Sequence, residues 1–95
     1  MSRAFRIEWD RRATIELDRL RAFDRPPVRR AVAALEDQAT TETINRKPLR
    51  QPLSALPEAT WAVRVGRHRV LYRVDGGTVR VLRVILKIGT TGESL

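Results

Sequence analysis

Hydrophobic and polar residues alternate along "AFRIEW", with Phe5, Ile7 and Trp9 on one side and Arg6 and Glu8 on the other. A period of two over this length predicts an amphipathic strand with one buried face. Asp10 follows as an N-cap, and the period then lengthens. Ala13, Leu17 and Leu20 recur at spacings of four and three, with Ile15 and Phe23 nearby. A first helix is expected over 10–22, its outer face carrying Arg12, Glu16, Asp18, Arg19 and Arg21. "DRPP" ends it. Proline is well tolerated in the first helical turn, so Pro26 and Pro27 open a second helix over 26–39, striped by Val28, Val32, Leu35 and Ala39. The short link makes the pair an antiparallel hairpin.

The stretch "TTETINRKPLRQPLSALPEAT" has three prolines and no sustained period. It predicts a connecting loop with a turn of helix near Thr41–Ile44. Alternation then resumes. "WAVRV" places Trp61, Val63 and Val65 on one face and Ala62 and Arg64 on the other. "HRVLYRV" places Val70, Tyr72 and Val74 with the first set and Arg69, Leu71 and Arg73 with the second. Gly66 and Arg67 form the turn between them, and "DGG" at 75–77 is a strong hairpin signal, because glycine tolerates positive φ. "TVRVLRVILKI" is apolar on nearly both faces, the pattern of a central strand. The order β-α-α-β-β-β predicts an α+β fold. An N-terminal strand and an antiparallel helical hairpin precede a three-strand antiparallel meander. The helices pack on one face of a small, twisted, mainly antiparallel sheet. A length of 95 residues makes residues 1–95 a single domain.

Composition adds exclusions. A hydrophobic fraction of 42% supports a real core. There is no cysteine and one histidine, which leaves no disulfide and no thiolate or multi-histidine metal site; no metal and no cofactor are expected. No apolar run approaches a membrane span and the N-terminus has no signal-peptide core, so a soluble cytoplasmic protein without membrane contact is expected.

Charge is distributed unevenly. The formal net charge is +8, and residues 43–92 hold ten Lys and Arg against only Glu58 and Asp75. Seventeen of the nineteen basic residues are arginine, a bias that a GC-rich genome can produce without selection for binding; such a bias does not explain acidic residues missing from one half. That asymmetry points to a polyanionic partner, nucleic acid first and an acidic protein second. If the helices cover the Trp61, Val63, Val70 and Tyr72 face, then Arg64, Arg69 and Arg73 emerge together on the other. Crowded guanidinium groups attract phosphates. Arg46, Lys47, Arg50 and Arg67 extend this basic surface as nucleic-acid-binding candidates.

Such a surface fits metal-independent RNA cleavage, in which a 2′-hydroxyl attacks the adjacent phosphate. The reaction needs a base, cations on the phosphorane oxygens and an acid for the leaving 5′-oxygen. His68 is a candidate for proton transfer, though its place beside a turn equally fits an exposed turn residue. Lys47 and Lys87 are the alternatives. Tyr72 and Trp61 share the parity of the core valines and read as packing. Arg80 and Arg83 fit a solvated surface.

The chain as a whole resembles the RelE/ParE toxin superfamily of type II toxin–antitoxin systems. The resemblance rests on the helix with "A…L..L", the second helix ending in "ALE", the loop "KPL" and above all "W.VRVG.HRVLYRVD", similar to the family's "RvGdyRvlY.id" core. It implies a toxin neutralised by a small, often acidic cognate antitoxin. RelE-type members are mRNA interferases that cleave mRNA on the ribosome; ParE-type members poison DNA gyrase. By position, Arg69 matches the family's phosphate-contacting arginine and Arg64 a basic position on the preceding strand, while Lys87 falls near the basic position after the last strand. Ala62 stands where ribosome-dependent nucleases carry another basic residue. Thr90, Thr91 and Leu95 fall at or near their C-terminal arginine and tyrosine, and the sequence ends ahead of the family's short tail. The leading expectation is a RelE-like toxin inhibiting translation as an endoribonuclease, with Arg69, Arg64, Lys87 and His68 as catalytic candidates. The alternatives are a ParE-like gyrase inhibitor and an inactive homologue that only binds its antitoxin.

Overall fold

The structure, a computed structural model, describes residues 4–86. Asp10 caps the first helix as its position suggests: its backbone is extended and its Oδ2 accepts a hydrogen bond from the Arg12 amide at 3.2 Å. The helix, α1 (Arg11–Asp18), stops four residues earlier than its apolar spacing implies. The cause is Arg25, whose Nη1 donates to the carbonyls of Asp18 and Leu20 at 3.0 and 3.1 Å. A side chain that satisfies terminal carbonyls lets the chain turn there. The second helix, α2 (Arg25–Gln38), begins with prolines in its first turn, and Val28, Val32 and Leu35 are buried.

The strands are β1 (Arg6–Trp9), β2 (Arg46–Pro48), β3 (Trp61–Val65), β4 (His68–Asp75) and β5 (Thr78–Leu86). They form one mixed sheet in the order β1-β5-β4-β3-β2. The meander β3-β4-β5 is antiparallel, as its turns require, with Gly66 and Gly76 at φ of 59° and 58°. β1 lies parallel to β5, with Arg6 opposite Thr78 and Trp9 opposite Val81. The long apolar strand β5 therefore sits between two neighbours, which accounts for its composition.

The expected helical turn at Thr41–Ile44 is replaced by a turn leading into β2. Thr43 Oγ1 accepts from the amides of Asn45 and Arg46 at 3.2 and 3.0 Å. This aims Arg46–Pro48 along the free edge of β3, with Lys47 opposite Ala62. An edge strand accommodates Pro48, whose missing N–H removes no ladder bond on the outer side.

Two apolar clusters follow, one on each face. Ala13, Leu17, Val28, Val32 and Leu35 of the helices meet Val63, Val70, Tyr72, Val79 and Val81. Across the sheet, Leu71 and Leu82 pack beneath Leu56 and Ala59, flanked by Leu49, Leu53, Ala62 and Ile85. The face expected to be open is thus half covered by the segment between β2 and β3.

A β-bulge at Leu71/Tyr72, whose partners are Arg83 and Val81, leaves Leu82 unopposed. Glu16 on α1 closes this irregularity. Its Oε1 accepts from the Val84 amide at 2.8 Å and its Oε2 meets Arg83 Nη2 at 2.7 Å. Arg83 is therefore a half-buried structural cation, not a solvated one. Arg80, also read as solvated, donates from Nη2 to Asp10 Oδ1 at 2.9 Å.

The Arg80 hydrogen bond, with help from the Arg12 amide, holds the Asp10 carboxyl below its ordinary value of 3.8. A lowered native pKa contributes stability above the unfolded value, and that contribution disappears as pH falls through the native value. Asp10→Ala is expected to lower stability by about 1 kcal/mol at neutral pH, the usual worth of an N-cap. The difference from wild type should shrink below about pH 4, where the unfolded carboxyl takes up its proton. Thermal unfolding as a function of pH checks both; a difference constant down to strongly acid pH would remove the charge from the account.

Candidate nucleic-acid interface

Residues directly opposite in an antiparallel pair share a face with their Cβ atoms about 5 Å apart. Arg64 of β3 and Arg69 of β4 are such a pair. Like charges in that position destabilise a sheet, so their juxtaposition calls for a compensating anion. Lys47 joins them from β2 by pairing with Ala62, on the same face as Arg64. These three cations line a shallow groove of about 200 Å³. Pro48, Leu49 and Ala62 form its apolar wall, and Ile44 and Asn45 its rim. Among the described residues no carboxylate lies within ion-pair distance of Lys47, Arg64 or Arg69.

The other sequence candidates separate from this group. Arg46 precedes Lys47 on a strand, so it points to the opposite face. It is 7% exposed, and its Nη1 donates to the Thr41 carbonyl at 3.2 Å. Its expected place in the nucleic-acid surface is corrected to an interior one. His68 likewise precedes Arg69 and faces the helix side, 9% exposed, in a cavity of about 220 Å³ lined also by Asp24, Pro27 and Arg67. It is neither an exposed turn residue nor within the Arg64–Arg69 groove. Strand parity separates the two neighbours whatever their side-chain rotamers.

Arg73 shares the face of Arg69, but buried Leu71 lies between them, and Arg73 Nε donates to Asp75 Oδ2 at 2.7 Å. That bond raises the Arg73 guanidinium above its ordinary value and occupies it. Arg50 is exposed beyond β2, and Arg67 lies in the β3–β4 turn beside the His68 cavity. Lys87, Thr90, Thr91 and Leu95 lie outside the described residues. Ile44, Asn45, Pro48 and Leu49 are groove residues that sequence reasoning did not place in the site; for Ile44 the signal available was a lone isoleucine in a polar stretch.

Tyr72 is core, as its parity indicates. It is fully buried, stacks on Trp61 with ring centroids 6.1 Å apart, and donates its hydroxyl to the Ala39 carbonyl at 2.7 Å. Burial pushes its phenol up, against a smaller opposing effect of the Arg46 charge. Tyr72→Phe is expected to cost about 1–2 kcal/mol by orphaning the Ala39 carbonyl. Urea unfolding measures that loss; the variant's affinity for a short RNA should match wild type, and a weaker affinity would draw the phenol into the site.

Chemically, the groove can hold a phosphate diester between two guanidinium groups and an ammonium. Among the described residues no cluster of three or more His, Asp or Glu side chains is placed to hold a metal ion, and no helix is long and apolar enough to cross a membrane.

The family model described as ParE toxin of type II toxin-antitoxin system, parDE, matches residues 7–86. No curated protein matches the chain. Among solved structures, a chain of the RelBE2 toxin–antitoxin complex from Mycobacterium tuberculosis is similar at a TM-score of 0.70 and 26% identity, over 87% of this chain and 98% of that one. The archaeal RelE–RelB complex from Pyrococcus horikoshii gives a TM-score of 0.70 at 15% identity, over 87% and 94%. The chromosomal ParDE system from P. aeruginosa gives 0.64 at 16%, over 90% and 98%. The last two are likenesses of fold.

Proposed function

The chain belongs to the ParE toxin family of type II toxin–antitoxin systems; from the directly opposed arginine pair of its basic groove, rather than from that membership, we propose that it inhibits translation by gripping RNA phosphate between Lys47, Arg64 and Arg69 and promoting mRNA cleavage on the ribosome. The observation that carries this reading is the directly opposed Arg64–Arg69 pair without an ion-pair partner among the described residues. In the reaction a ribose 2′-oxygen loses its proton and bonds to the adjacent phosphorus. The 5′-oxygen leaves and is protonated, giving a 2′,3′-cyclic phosphate. The two guanidinium groups stabilise the charge that builds on the phosphorane oxygens. Guanidinium groups keep their protons, so proton transfer falls to Lys47 within the groove and to Lys87. His68 takes no part from the opposite face.

A second reading, inhibition of DNA gyrase by binding alone, is favoured by Ala62 in the groove wall and by the lack of an imidazole, phenol or carboxylate among the residues that line it. Both readings include a cognate antitoxin, supported by the toxin–antitoxin complexes among the similar structures. An acidic antitoxin segment in the groove competes with nucleic acid for the same cations.

Primer extension on mRNA bound to purified ribosomes, run beside a gyrase supercoiling assay, separates these. Cleavage by wild type and not by Arg69→Ala is expected. Supercoiling inhibition without cleavage would transfer the toxin to the second reading.

A further inference from the structure

We propose that Ile44 and Asn45 form a nucleobase subsite beside the phosphate grip, so that the groove takes a whole nucleotide of single-stranded RNA and discriminates between bases. The inference rests on the reading of the groove as an RNA-phosphate site.

Ile44 is 86% exposed at the rim of the groove that Lys47, Arg64 and Arg69 line. The turn carrying it is fixed. Thr43 N donates to the Arg46 carbonyl at 2.8 Å, Thr43 Oγ1 accepts from the amides of Asn45 and Arg46, and Arg64 N donates to the Asn45 carbonyl at 2.7 Å. That last bond ties the turn to the strand bearing one of the phosphate-gripping arginines. The backbone of Asn45 is thus used on both sides, while its side-chain amide makes no hydrogen bond among the described residues. Ile44 and Asn45 reach their positions without positive φ, so the turn stores no strain in presenting them.

Three chemistries meet at one groove: cations, an exposed aliphatic surface and a free amide with both donor and acceptor. A nucleotide presents their complements as phosphate, a flat apolar base face and a base edge carrying donors and acceptors. Single-stranded RNA is recognised by this combination, because its bases are unstacked and their edges open. A bare polyphosphate has no use for the isoleucine. An acidic peptide also offers backbone N–H and C=O groups to the amide, but it has no flat, rigid apolar face to lie against the isoleucine, and the comparison of RNA with an acidic peptide separates the two.

The test is fluorescence anisotropy with short labelled single-stranded RNA homopolymers of each base, and with a ribose-phosphate oligomer of the same length lacking bases. Wild type, Ile44→Ala, Asn45→Ala and Arg69→Ala are compared. Both rim substitutions are at exposed side chains, so folding is preserved. Ile44→Ala is expected to weaken RNA binding about tenfold, the effect of uncovering roughly two methylene groups. It should leave binding of the base-free oligomer unchanged. Asn45→Ala should flatten the ranking of the four homopolymers. Equal binding of wild type to RNA and to the base-free oligomer, with Arg69→Ala weak on both, would overturn the subsite and leave the phosphate grip standing. Wild-type binding to neither, or binding indifferent to Arg69, would overturn both. Ile44→Ala with undiminished RNA binding that loses affinity only for an acidic peptide would reassign the rim to a protein partner.

Discussion

Arg69→Ala is expected to abolish toxicity, lowering activity at least about a hundredfold, the usual cost of losing one donor to a developing oxyanion. Arg69 stands half-buried on β4, opposite Arg64 and beside Ile85 of β5, so its guanidinium is held by a strand paired on both sides. A cation positioned before the substrate arrives needs little reorganisation during reaction. Removing it also relieves like-charge repulsion with Arg64, so stability should be unchanged or slightly higher. Arg73→Ala is the matched control: the same residue type on the same face, but already bonded to Asp75. It should leave growth arrest intact. Induced expression in a host lacking antitoxin, with thermal unfolding of each purified variant, gives the comparison. A folded Arg69→Ala protein that still arrests growth would dismiss this residue from the mechanism.

Leu71→Ala carries the largest expected effect on stability, about 2–5 kcal/mol for truncating a fully buried leucine. Leu71 is 0% exposed although its neighbours on that face, Arg69 and Arg73, are not buried. It is covered by Leu56 and Ala59 from the segment between β2 and β3. Leu49 packs on that cluster and also lines the groove. A cavity at Leu71 should therefore loosen the groove wall as well as the fold. Urea unfolding measures the loss, and limited proteolysis should find cleavage between residues 49 and 59 first. A loss under about 1 kcal/mol would mean that the covering segment collapses into the space or contributes little packing.

Much of this arrangement is written locally. The alternation of Phe5, Ile7 and Trp9, the Asp10 cap, the Pro26–Pro27 helix start and the Asp75–Gly77 turn each require only neighbouring residues. The shared face of Arg64 and Arg69 follows from the tight turn at Gly66. Features that depend on distant partners were not legible. Nothing within β1 specifies β5 as its parallel neighbour. β2 exists because a threonine oxygen turns the chain against a free strand edge; only once it is a strand does parity send Arg46 inward and Lys47 outward. The bulge at Leu82 interrupts a pattern that otherwise reads as continuous. His68 is different. Its parity with Val70 and Tyr72 was readable, and its position beside a turn outweighed it. Family resemblance correctly located the chain among toxins, while Lys87 and the C-terminal positions Thr90, Thr91 and Leu95 lie outside the described residues.

The parallel pairing of β1 with β5 also orders events during synthesis. About seventy residues separate the partners in sequence, and contacts that distant close late because the intervening chain must first lose its freedom. The β3–β4 hairpin that bears Arg64 and Arg69 has no second neighbour until β5 has left the ribosome. The edge of β4 beside Arg69 thus stays unpaired until β5 emerges, so the surface bearing Arg64 and Arg69 sets late in folding. Ribosome-bound chains truncated before β5 should fail to bind RNA, whereas chains extended well beyond it should bind; equal binding by both would contradict this order.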